Sequence, residues 1–465
     1  GVVLLAKARD KNTLKTIADT LIQIVREQNK GEDPFKARKY RDLPVFQVGG
    51  GVLAQMDSWL MLTNKGELAK SIADRFLDGG KSLADDQDFQ SARKSIQGTP
   101  TLWGYANAEL IRDNKAAKQL LREKHDNPAA ELLLGGVLSD LQKAPFVTAS
   151  LFFEKDRLAF NLSMPHDLAW IPERREFFFG ADGKQGAPAP LRPKQTVLSI
   201  EAHRDVGAWW LGKEDLYEEQ VVAKLELADS QFSNLFAGLD FGQEVLGALK
   251  PGAQIVLTRQ DFDKLEGPKP DIQLPAGAFV FNLKEPEKIW RRLKVSYQSA
   301  LGLINFQLGQ QGQPQLEMET QKIDKAQIIS ASYLPDEGKD GAINYNFSPS
   351  IAFVRGRFIV ASTRELVREL VDLVNQQKNV DARTADNTHA RLDLKVLQQI
   401  LQDNRQQLVT QIALQQGKEK AAAEKEVGIG LDLLSATQDL TIRLAAEKNI
   451  LRFDIELKFA GANDK

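Results

Sequence analysis

Residues 2–6 (VVLLA) form an apolar run of strand length, and Leu14, Ala18, Ile22 and Val25 then recur at the spacing of one helix face. The same succession returns later. Residues 278–283 read as a strand, and Ile289, Leu293, Tyr297 and Ala300 repeat the helical stripe. Asn12 or Thr13 is placed to cap the first helix. Pro286 stands near the start of the second, where its missing N–H does no harm. A hairpin follows in each stretch. Residues 52–64 (VLAQMDSWLMLTN) lie over 351–363 (IAFVRGRFIVAST), with Asp57-Ser58 and Arg355-Gly356-Arg357 at the turns. Leu68 and Ile72 then match Leu366 and Leu370 on the next helices.

The succession closes in the same way twice. A strand at 102–106 answers one at 389–392, and each runs into a helix. A final hairpin at 150–162 (SLFFEKDRLAFNL) lies over 443–455 (RLAAEKNILRFDI), with Lys155-Asp156 and Lys448-Asn449 at the turns. Elements that agree in type and order predict an internal duplication. Close hairpins favour antiparallel pairing, because parallel strands need long crossovers. The expected fold class is therefore α+β: two copies of a module, each an antiparallel sheet with helices on one face.

The expected boundaries are 1–164 for a first module, 165–194 for a linker and 195–460 for a second, complete module. The second has an unmatched N-terminal part. It contains a strand at 196–202, a helical stretch with Trp209, Trp210, Leu216, Val221 and Leu225, and a strand at 254–259. The chain also opens at Gly1 inside an apolar strand. Both features lead us to expect a fragment whose counterpart of 196–259, with any signal or membrane anchor, lies upstream.

The linker is rich in Pro and Gly but carries Trp170, Phe177, Phe178 and Phe179, flanked by Arg174 and Arg175. Each large aromatic left in water forgoes roughly 2 kcal/mol of burial. The cluster either pins the linker onto a module or stays exposed. In the second case Trp170, Arg174, Arg175, Phe177, Phe178 and Phe179 form a binding surface for a partner or a membrane.

Composition narrows the chemistry. The 465 residues carry a net charge of −2 with both signs dispersed, which is no footprint for nucleic acid. There is no cysteine, so disulfides, thiolate catalysis and Cys-ligated metal are excluded. The apolar run at 132–138 is broken by Gly135 and Gly136 and falls far short of the about 20 residues of a membrane span. His125, His166, His203 and His389 are the four histidines, and none has a second at zinc-site spacing. Gly80-Lys81-Ser82 lacks the earlier glycine of a phosphate loop, since Arg75 stands there. Gly49-Gly50-Gly51 reads as a bend or bulge in a strand. Asp85, Asp86 and Asp88 lack calcium-loop spacing and read as a turn capping a helix from Phe89 onward. Residues 394–426 read as one amphipathic helix with a long solvated end. No cofactor, metal or catalytic residue is expected.

Three stretches carry a resemblance: ADSQFSNLFAGLDFGQEVLGAL, QLPAGAFVFNLKEP and INYNFSPSIAFVRGRFIVASTRELV. They resemble an uncharacterised family of large exported bacterial proteins of planctomycete type. The resemblance implies an exported, periplasmic or envelope-associated protein and supplies no activity. The expected function is non-enzymatic binding or structural work in the cell envelope, with an unknown protein or envelope component as partner. The alternatives are a carrier of an apolar ligand such as lipid, and a hydrolase with an unrecognised site.

Overall fold

Tight turns set the frame. In the computed structural model, which describes residues 2–7, 11–28, 35–183, 186–236, 238–263, 268–323, 325–334 and 341–461, Asp57 and Arg355 both take positive φ, and Gly356 follows Arg355 in the same region. Left-handed residues at the centre of a two-residue turn match the twist of the strands they join. Gly49, also at positive φ, turns the chain between two strands rather than bulging within one. Gly1, the backbone of residues 8–10 and the side chains of Thr13 and Val25 lie outside the described residues.

The chain begins β1 (Val3–Lys7), α1 (Lys11–Gln28), β2 (Lys36–Tyr40), β3 (Leu43–Val48), β4 (Gly51–Met56), β5 (Trp59–Thr63), α2 (Gly66–Asp78) and α3 (Gln87–Lys94). It continues β6 (Leu102–Asn107), α4 (Ala108–Arg112), α5 (Lys115–Leu120), α6 (Pro128–Lys143), β7 (Phe146–Phe153), β8 (Arg157–Pro165) and α7 (Glu176–Phe179). Next come β9 (Thr196–Ala202), α8 (Val206–Leu211), α9 (Lys213–Leu216), α10 (Glu219–Leu235) and β10 (Leu249–Thr258). Then follow β11 (Ala276–Leu283), α11 (Pro286–Gln310), β12 (Leu316–Ile323), β13 (Ala326–Tyr333), β14 (Ser350–Val354), β15 (Arg357–Ala361) and α12 (Arg364–Gln376). The last elements are β16 (Thr388–Asp393), α13 (Leu394–Asp403), α14 (Arg405–Gln416), α15 (Lys420–Ser435), β17 (Thr437–Glu447) and β18 (Ile450–Phe459).

The fold is α+β with two antiparallel sheets. One has five strands in the order β1-β5-β4-β3-β2, and the other has thirteen in the order β12-β13-β14-β15-β11-β10-β9-β16-β17-β18-β8-β7-β6. The chain divides into two compact units, Gly1–Gln90 and Ser91–Lys465, each holding one sheet. That division falls at Gln90, and the segment at 165–194 lies within the second unit. The physical reason is β8, which pairs along its length with β18 and so ties β6–β8 into the larger sheet.

Helices cover both faces of each β-α-β-β-β-β-α stretch, not one. In the first unit Leu53 and Leu60 pack with Leu14, Ala18 and Ile22 of α1, while Ala54, Met56 and Met61 pack with Ala69 and Ala73 of α2. In the second unit Ile351 and Phe358 pack with Trp290 of α11, while Ala352, Val354 and Ile359 pack with Leu366, Val367 and Leu370 of α12. Strands apolar on both faces demand two covers, and the runs VLAQM and SIAFV have that character. Each fully buried Leu or Val of α12 contributes roughly 1.5–3 kcal/mol.

The expected single helix at 394–426 is three. Asn404 ends α13, its backbone carbonyl accepts from Leu408 N at 3.0 Å in the first turn of α14, and Gly417 ends α14 in the left-handed region. Their shared core is Val409, Ala423, Val427 and Leu431. Among the described residues no helix is long and apolar enough to cross a membrane.

Candidate functional site

The segment at 165–194 is part of the second unit's core. Phe177, Phe178 and Phe179 are buried on α7 with Trp209, Trp210 and Tyr217, and Trp170 is half-buried against the same cluster. Room comes from α6. A Cβ on Gly136 would stand 2.4 Å from Phe178 Cδ1 and 2.5 Å from Phe179 Cε2. Arg175 is 0% exposed. Its guanidinium grips the buried Glu131 of α6 at 2.5 and 2.9 Å and donates to Ser139 Oγ at 3.0 Å. Arg204 lies over the Phe178 ring, 3.5 Å from its centroid, and burial lowers its pKa to about 9. Of the expected binding surface, Arg175, Phe177, Phe178 and Phe179 are buried, and Trp170 and Arg174 are half-buried. Buried rings and a buried ion pair cannot present a surface to a partner, so Arg175, Phe177, Phe178 and Phe179 act as an internal wedge.

The histidines are separate. His125 Nε2 lies 3.7 Å from Glu131, and burial foremost lowers its pKa. His166 Nδ1 lies 2.7 Å from Asp140, whose pKa burial raises against the pull of His166. His203 is buried, and desolvation with the nearby Arg383 and Arg204 lowers its pKa to about 4. His389 Nδ1 lies 3.1 Å from the buried Glu201. Asp85 accepts from Ser82 N at 2.7 Å, and Asp86 from Phe89 N at 2.8 Å, so this acidic run closes turns at the start of α3. Among the described residues no three or more His, Asp or Glu side chains converge as a metal site.

What reading the sequence missed is a polar row across the large sheet. Strand register places Gln254, Glu201, His389, Arg443, Asp454, Asn161 and Ser150 directly opposite one another on β10, β9, β16, β17, β18, β8 and β7. Opposed residues share a face, and neighbouring strands lie about 4.8 Å apart. Gln254 Nε2 donates to Glu201 at 3.1 Å. Asn161 Nδ2 donates to Asp454 Oδ1. Arg443 makes two bonds to Asp386, at 2.7 and 3.1 Å. Alternation of polar and apolar residues in β16 and β17 signals a polar face. Which strands meet, and so the row itself, depends on pairings between residues far apart in the chain.

Over the middle of the row lies an open groove of about 500 Å³ lined by Phe152, Arg157, Asn161, Arg443, Asp454 and Glu456, among others. Arg157 donates twice to Glu154, at 2.9 Å each, and to Glu456 at 3.0 Å. That bond to Arg157 holds the Glu154 carboxyl below its ordinary range, and Glu154 in return raises Arg157. The groove thus presents fixed donors and acceptors of both signs beside Phe152 and Phe160.

In comparisons with known proteins, no protein-family model, no curated protein and no solved structure matches the chain.

Proposed function

We propose that this protein is a non-enzymatic binding or structural component of the bacterial cell envelope, exported, and built from two copies of one module. The duplication draws support from pairing registers. Met56 opposite Trp59 and Ala54 opposite Met61 answer Val354 opposite Arg357 and Ala352 opposite Ile359. Asp57 and Arg355, the left-handed turn residues, correspond, as do Lys65 and Thr363, which precede α2 and α12. At the β8–β18 pairing the correspondence closes on itself: Asn161 faces Asp454, its own counterpart in the other copy. A self-complementary pairing of this kind is what two equal halves make about a two-fold axis.

The observation that carries the binding role is the polar row with its groove at that joint. A general acid needs a carboxyl with a raised pKa, whereas Glu154 is held ionised by Arg157. Arginines and carboxylates already paired with one another favour a ligand rich in hydroxyl or amide groups over a strongly charged one. Export and membership of the planctomycete-type family rest on the three resembling stretches. The test is fractionation of the source cells with an antibody to this chain. Recovery with the envelope is expected, and recovery in the cytosolic fraction contradicts the proposal.

The apolar-carrier reading has one observation in its favour. A gap of about 240 Å³ in the first unit is lined by Leu21, Phe35, Phe46, Val52, Leu53 and Leu62. It lies below the roughly 300–1,000 Å³ of ordinary ligand pockets.

A further inference from the structure

A second groove, of about 820 Å³, runs along α12 within the second unit. It falls in the roughly 300–1,000 Å³ range of ordinary ligand pockets. One wall is α12 itself. Val367, Leu370, Val371 and Val374 are buried beneath the helix, and Glu365, Glu369 and Asp372 line the groove. Residues four and three apart stand in line on a helix, so these carboxylates form one acidic stripe about 10 Å long. Glu365 also accepts from Arg364 Nε at 3.3 Å, and Arg368 of the same helix turns away to Gln321 Oε1 at 2.6 Å.

The other wall is the segment that leads into β9. Leu191 and Pro193 are buried, and Arg192 and Lys194, which alternate with them, are exposed. Hydrogen bonds fix this alternation. The carbonyl of Leu191 accepts from Gln254 Nε2 at 2.8 Å, and that of Pro193 from Thr196 Oγ1 at 2.6 Å. Lys194 N donates to Glu369 Oε1 at 2.6 Å. Arg259 also lines the groove but is balanced by Asp403, through bonds of 2.6 and 3.0 Å, and by the nearby Asp261. The basic character of this wall therefore rests on Arg192 and Lys194.

Two walls of opposite charge thus face one space. An anion that approaches Arg192 and Lys194 meets the stripe of α12, and a cation that approaches the stripe meets the two basic residues. A ligand with one sign on each side pairs with both walls. In an extended peptide successive side chains point to opposite sides, and alternate ones stand about 7 Å apart on the same side. The Cα atoms of Arg192 and Lys194, two residues apart, span at most about 7 Å.

We propose that this groove binds an extended peptide in which basic and acidic residues alternate. Its basic side chains lie against Glu365, Glu369 and Asp372, and its acidic ones against Arg192 and Lys194. The site is separate from the groove over the polar row and does not rest on it.

The test is fluorescence anisotropy of the full chain with labelled, end-blocked peptides of one composition in two orders: lysine alternating with glutamate, or a lysine block followed by a glutamate block. The alternating peptide should bind at least tenfold more tightly than the block peptide. Pairs between exposed groups are individually weak, so each wall is altered at two positions. Glu365→Gln with Asp372→Asn, and separately Arg192→Gln with Lys194→Gln, should each weaken the alternating peptide at least tenfold at unchanged melting temperature. Asn161→Leu with Asp454→Leu should leave its binding unchanged, and a loss there assigns the peptide to the other groove and overturns the proposal. Equal binding of the two orders, no binding at millimolar peptide, or wild-type affinity in either wall variant also overturns it.

Discussion

Gly136 is a helix-interior glycine whose hydrogen is the only substituent that Phe178 and Phe179 leave room for. Glycine there costs about 1 kcal/mol of helix propensity against alanine, yet Gly136→Ala should destabilise the second unit by about 1–3 kcal/mol through overpacking. Urea denaturation measures it, and a more stable Ala variant would contradict the packing. His203 offers a pH test. Its folded pKa of about 4 lies below the ordinary 6.5, so the unfolded chain binds the proton more readily between those values. Stability should therefore fall as pH drops from 6.5 toward 4, by on the order of 3 kcal/mol. Asp140, raised by burial, works in the opposite direction. The check is therefore the difference between wild type and His203→Gln, whose dependence on pH should be shallower. At this scale the sequence was partly legible. Four aromatics among prolines signalled burial, but Arg175 read as a surface flank because its partner, Glu131, lies on a helix 44 residues away.

The hairpin β14–β15 shows how an element settles its own register. Arg355 holds a left-handed backbone that bulky residues avoid. In return its guanidinium donates to the carbonyls of Val374 at 2.8 Å and Gln377 at 2.5 Å, closing the C-terminus of α12. Arg355→Ala should lose those bonds and keep the strain, for about 1–2 kcal/mol in denaturant titration. Arg355→Gly relieves the strain and should cost less, and a larger loss for Gly than for Ala would contradict this account. The sequence alignment of the two hairpins set Val52 against Ile351, whereas the turns and pairings set Val52 against Ser350. A slip of one residue exchanges the two faces of a strand. With both faces apolar, no alternation along these strands marks which side a helix covers. The types and order of the apolar elements were legible from periodicity, but the side each helix takes was not. The hairpins β2–β3 and β12–β13 escaped notice because KARKY and LEMETQKI carry too much charge to read as strands.

At the scale of the molecule, the division at Gln90 and the thirteen-stranded sheet follow from one contact that no local pattern encodes, the pairing of β8 with β18. That pairing carries the polar row on from Asp454 to Asn161 and Ser150. Replacing both Asn161 and Asp454 with leucine removes donor and acceptor together, and Ser163 Oγ, which loses Asn161 Oδ1 as acceptor, keeps Thr148 Oγ1 at 3.1 Å, so the fold should survive. Arg443 keeps its bonds to Asp386. The most direct measurement of the central claim is co-sedimentation of the purified chain with purified envelope polymers, wild type beside the Asn161→Leu, Asp454→Leu variant, at matched melting temperature. The wild type should pellet with the polymer, and the variant's affinity should fall at least tenfold. Equal binding by both, or none by the wild type, would contradict it.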